Sequence, residues 1–67
     1  MKDQDLPFVK HFPDDFIIIE ISKEEYYEGD EHPYHVTFSD DENTLFDFMY
    51  KTIEDAELAF KMMCMGV

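Results

Sequence analysis

The sequence predicts an α+β fold: a three-stranded antiparallel β-meander with one C-terminal helix packed on one face (βββα), preceded by an irregular N-terminal segment. Three observations predict it. Asp15-Phe16-Ile17-Ile18-Ile19-Glu20-Ile21-Ser22 is a dense β-branched run, and isoleucine packs well on a pleated surface. Two further stretches, 34–38 and 44–50, alternate in side-chain character between clusters of turn residues. After Thr52 the apolar period lengthens from two to helical spacing. With 67 residues the chain forms one domain. Residues 1–13 are read as irregular, 14–50 as the sheet and 52–65 as the helix.

Met1 to Asp5 is polar and is expected to fray. Phe8 and Phe12 are four apart, so one helical turn would place them on one side, and Pro13 ends such a turn. This segment is read as a lid on the second face of the sheet, over Phe16 and Ile18. In the first strand, Ile17, Ile19 and Ile21 share one face and Phe16, Ile18 and Glu20 the other. That strand can continue through Lys23 to Tyr27, becoming polar as it goes. Glu28-Gly29-Asp30-Glu31 is a turn, because Gly29 tolerates positive φ and Asp30 suits loop chemistry.

The second strand starts at Pro33, a permitted place for proline, and puts Tyr34, Val36 and Phe38 toward the core. Ser39-Asp40-Asp41-Glu42-Asn43 turns the chain into a third strand, Thr44 to Tyr50, with Phe46, Phe48 and Tyr50 on one face. Thr52 reads as a helix N-cap, with Glu54 and Asp55 in the first turn where the helix dipole favours negative charge. Ala56, Ala59, Phe60 and Met63 form the sheet-facing stripe, and Gly66 is a stop. Leu58, Met62 and Met65 make a second stripe on the other side of the helix, suited to an adaptor or dimerisation contact unless the N-terminal segment folds over it.

Composition sets the functional limits. Seventeen Asp and Glu face five Lys and no Arg, a formal net charge of −12. Direct nucleic-acid binding needs Lys and Arg against phosphate, so it is excluded as an expectation, and an anionic membrane surface is disfavoured for the same reason. The expected partner is a protein with a basic surface. Apolar residues at 45%, with seven Phe and four Tyr, argue for a packed globule and against a disordered acidic tail. The single Cys64 rules out an internal disulfide, and no apolar run is long enough to span a bilayer; a reducing, cytoplasmic setting is the expectation. Cys64 itself reads as a small hydrophobe near a helix end.

The acids cluster. Glu24, Glu25, Glu28, Asp30 and Glu31 surround the first turn, and Asp40, Asp41 and Glu42 form the second. Strand residues two apart are separated by about 6.8 Å, so carboxylates held on such a frame can occupy a phosphate-binding groove on another protein. Tyr26 and Tyr27 add amphipathic contact area beside them. A solvated surface that only maintains solubility is the plainer account, but small size, the lack of Arg and the net charge favour groove occupation. In charge and size alone, with no shared motif, the chain is similar to small inhibitors of phages and mobile elements such as anti-CRISPR and anti-restriction proteins. The sequence-level expectation is therefore a DNA-mimic-like inhibitor in a host cytoplasm.

Other chemistry is weakly supported. His32 and His35 have HxxH spacing, but on a strand their rings point to opposite faces, so they read as surface histidines. Asp40-Asp41-Glu42-Asn43 lacks the glycine and terminal glutamate of a calcium loop. No nucleophile triad, P-loop or dinucleotide pattern is present, and nothing points to a buried carboxylate pair or a cleft. The expectation is a non-enzyme with no metal and no cofactor.

Overall fold

A computed structural model describes the whole chain, Met1–Val67. Four strands and one long helix follow in order: β1 Phe8–Phe12, β2 Ile17–Lys23, β3 Tyr34–Ser39, β4 Thr44–Tyr50 and α1 Ile53–Met65. Short 3-10 turns at Asp3–Asp5 and Pro13–Asp15 flank β1. The sheet is antiparallel throughout, with spatial order β1-β2-β3-β4. The α+β architecture with a C-terminal helix is as expected, but the sheet has four strands, not three.

The extra strand comes from the segment read as an irregular lid. Phe8 pairs with Ile21, Lys10 with Ile19 and Phe12 with Ile17, so Phe8 and Phe12 do share a side, through strand alternation and not a helical turn. The segment extends the sheet beside β2 instead of lying over its second face. Phe16 is also displaced from its expected place in the strand. It follows the Pro13–Asp15 turn in the left-handed region, φ 57, and is 64% exposed. β2 starts at Ile17 and stops at Lys23, short of Tyr27, because the chain turns away into a loop.

β4 has the bounds expected of it. The ladder between β3 and β4 slips by one between Phe38 and Ser39, which leaves Leu45 without a partner across from it. The helix starts at Thr52, whose hydroxyl accepts from the Asp55 N–H at 3.2 Å. It stops at Gly66, whose N–H reaches the Met62 and Met63 carbonyls with φ −83, so the glycine ends the helix without a left-handed turn.

The core is a single layer between sheet and helix. Ile19, Ile21, Val36, Ala56 and Phe60 are buried, and Leu6, Phe12, Tyr34, Tyr50 and Met63 pack against them. Each fully buried large apolar side chain contributes about 1.5–3 kcal/mol. Ala56, with no exposed surface, lets the helix lie close on the strands. Phe60 meets Phe8 edge-to-face at 5.8 Å, which ties β1 to the helix. The helix packs chiefly over β2 and β3 and less over β4. Phe46 and Phe48, on the helix side of β4, are consequently 54% and 43% exposed.

Candidate acidic interface

The loop from Glu24 to Pro33 carries most of the acids expected to bind a partner. Its base is closed by the Glu24 N–H donating to the Pro33 carbonyl at 2.8 Å. Inside it, the Asp30 carboxylate accepts from the Tyr26 N–H at 3.2 Å and the His32 N–H at 2.9 Å, and Gly29 takes φ 79. These backbone donors hold the Asp30 carboxyl below the usual carboxylate range, the His32 N–H contributing most. Asp30 is thus a brace, while Glu24, Glu25, Glu28 and Glu31 are exposed and form no ion pair.

The same loop folds over the face of the sheet opposite the helix. Tyr26 lays its ring against His35, centroids 4.5 Å apart, and donates its hydroxyl to Asp47 at 2.9 Å. The aspartate raises the Tyr26 phenol above its ordinary range. His35 is 2% exposed, which corrects its reading as a surface histidine. It lies on the face away from the helix and is covered by the loop. Its Nδ1 faces Asp47 Oδ1 at 3.1 Å and its Nε2 faces the Glu24 carbonyl at 2.9 Å. His32 lies outside in the loop. Tyr27 is 65% exposed and available, whereas Tyr26 is committed to bracing.

The second turn has the same design. Asp40 accepts from the Asn43 N–H at 2.7 Å and the Glu42 N–H at 2.9 Å, and these bonds depress its carboxyl. Asp41 and Glu42 are exposed. Antiparallel order puts this turn beside Asp14 and Asp15 at one end of the sheet. The Glu24–Pro33 loop is at the other, with the helix start bearing Glu54 and Asp55. A six- or seven-residue strand separates the ends by about 20 Å. The expected site residues therefore form two poles of an elongated molecule, 38 × 22 × 18 Å, one at each end of the sheet.

Between the poles the open face carries Glu20, Ser22, Thr37 and Asp47. A polar cleft of about 460 Å³ lies there, bounded by Asp3, Leu6 and Tyr26. Sequence reasoning did not anticipate it. Ser22 is the register partner of His35, but both ring nitrogens of His35 are engaged elsewhere, so they are not directed at that hydroxyl. Asp3 joins the same end of the sheet: Tyr34 donates its hydroxyl to it at 2.8 Å and Lys23 its ammonium at 3.1 Å, and both lower its carboxyl, the tyrosine most. Asp47 and His35 were missed as a pair because they are distant in sequence. The available signal was that Asp47 is the one acid inside an otherwise uncharged strand.

The other candidate surface is the helix stripe. Leu58, Met62 and Met65 are 61%, 65% and 85% exposed, so the N-terminal segment does not cover them. The N-terminus instead reaches Glu57, its ammonium 2.6 Å from the carboxylate, and with Lys61 lowers that carboxyl. No helix is long and apolar enough to cross a membrane. No family model matches the chain, and neither the curated proteins nor the solved structures contain a match to it.

Proposed function

We propose that this protein is a small non-catalytic inhibitor that occupies a basic, nucleic-acid-binding surface of another protein. The observation that carries the reading is the arrangement of unpaired carboxylates on two braced turns. Glu24, Glu25, Glu28 and Glu31 at one pole, and Asp41 and Glu42 at the other, form no ion pairs, while Asp30 and Asp40 turn inward to fix the backbone beneath them. A turn backbone braced before binding loses little further freedom when its carboxylates meet cations. The net charge of −12 steers a basic partner over long range. Anti-CRISPR and anti-restriction inhibitors are the biological setting that such a design fits.

The test is capture of partners from a host cell on the immobilised protein, with duplex DNA as competitor. The expected result is retention of nucleic-acid-binding proteins that duplex DNA displaces and that salt releases between about 50 and about 200 mM. Neutralising the poles, with Glu24→Gln, Glu25→Gln, Glu28→Gln, Asp41→Asn and Glu42→Gln together, should abolish retention. Retention indifferent to DNA and salt would overturn the reading.

A second reading draws on the exposed helix stripe. An adaptor or dimerisation module would use Leu58, Met62 and Met65, and Met62→Glu would then abolish assembly without loss of the fold. Unchanged assembly in that variant removes this reading.

A further inference from the structure

The two edges of the sheet are built differently. β1 is five residues long, lies between Pro7 and Pro13, and carries Lys10 at its centre. Short length, proline and lysine are the devices that keep an edge strand from pairing with another chain. β4 has none of them. It is seven residues long, contains no proline, and its only charge, Asp47, is held by Tyr26 and faces His35. It is bonded to β3 on one side only, so alternate backbone groups on its other side have no strand partner. Leu45, Phe46, Phe48 and Met49 are between 43% and 54% exposed.

Two clefts border this edge. On the helix side, Phe38, Phe46, Phe48 and Met63 line an apolar cleft of about 330 Å³. On the open side, a cleft of about 620 Å³ is lined by Phe48, Met49, Tyr27, Asp30 and Asp47. A strand laid beside β4 would point successive side chains alternately into the two. One cleft is wholly apolar and the other combines aromatic surface with carboxylates. We infer that β4 is a strand-addition site for an extended segment of another protein in which apolar and basic residues alternate.

Charge complementarity selects that occupant over a second copy of this chain. Asp40, Asp41 and Glu42 lie at one end of β4, and Asp30, Glu31, Glu54 and Asp55 toward the other, with Lys51 the adjoining cation. A second copy brings the same net −12 against itself, whereas alternating lysines meet carboxylates along the groove. The inference rests on the reading that the partner is basic, and adds how its backbone is held.

The probe is a peptide of about eight residues alternating valine and lysine, titrated into the isotopically labelled protein and followed by NMR and amide exchange. Shift changes should run along residues 44–50 and include Met63, and outward β4 amides should become protected, with β1 unaffected. A valine–glutamate peptide and the Phe46→Lys variant should each bind at least about tenfold more weakly. Phe46 is exposed enough for its replacement to spare the fold. Shifts confined to the acidic turns, with no protection in β4, would overturn strand addition. A free protein that sediments as a dimer with β4 already protected would replace the basic segment by a second copy. A variant neutralised at Glu24, Glu25 and Glu28 alone, none of which lines either cleft, separates the two ideas: weakened DNA-displaceable capture with peptide protection of β4 intact supports both. Capture that this variant leaves unchanged counts against the proposed function alone.

Discussion

His35 is buried between two oxygen acceptors, the Asp47 carboxylate and the Glu24 carbonyl, with Tyr26 stacked on its ring. A neutral imidazole carries one N–H and satisfies one of them at a time; an imidazolium satisfies both. Either way, His35 joins the loop to the sheet. His35→Leu keeps the bulk and removes both bonds, so it should cost about 1–3 kcal/mol in urea denaturation, with faster amide exchange across residues 24–33. An unchanged midpoint would show that the loop is held by other contacts. Phe16 makes the opposite case. A non-glycine residue in the left-handed region costs roughly 1–2 kcal/mol, and Phe16 is mostly exposed, so it recovers little by packing. Phe16→Gly should raise stability by about 0.5–1 kcal/mol after the added freedom of the unfolded chain is counted. A lowered thermal midpoint would mean that the phenyl ring packs more than its exposure implies.

At the scale of elements, α1 depends on its cap and its apolar stripe. Thr52→Ala removes the bond to the Asp55 N–H and should cost about 1 kcal/mol, read as a shift of the denaturation midpoint. The residues that decided this helix lie within one stretch of sequence, so Thr52, Ala56 and Phe60 were legible there. β4 was legible for the same reason, because Phe46, Phe48 and Tyr50 alternate without interruption. β1 was not. Phe8 and Phe12 share a side in a helix turn and in a strand alike, since four is an even spacing as well as close to one turn. Only Ile17, Ile19 and Ile21 across the ladder decide between them, and no local pattern contains that information. The acids of the two turns were legible by position, but not their division into braces and free charges. Asp30 and Glu31 look alike until the backbone N–H groups around Asp30 are in place.

For the whole molecule, the depressed and raised groups bound a window of pH. Asp3, Asp30, Asp40 and Glu57 have carboxyls below their ordinary range, so the folded form binds fewer protons than the unfolded chain. Their contribution is present above the unfolded carboxylate range, about 4, and is lost as pH falls through the folded values. Tyr26, Tyr34 and Lys23 are raised, so their contribution is present below about 10 and is lost as pH rises through the folded values. Urea midpoints measured against pH should form a plateau between these limits. Asp40→Asn should flatten the acid limb, and an unaltered limb would show that the turn bonds do not contribute. Added salt at neutral pH should raise the plateau, because it screens the repulsion of twelve excess negative charges.

The unequal guarding of the sheet's two borders limits how far association can proceed. A molecule with one receptive margin and one barred margin can take a neighbour on one side only. Growth into ribbons or fibres, which needs both sides receptive, is closed off by Pro7, Lys10 and Pro13.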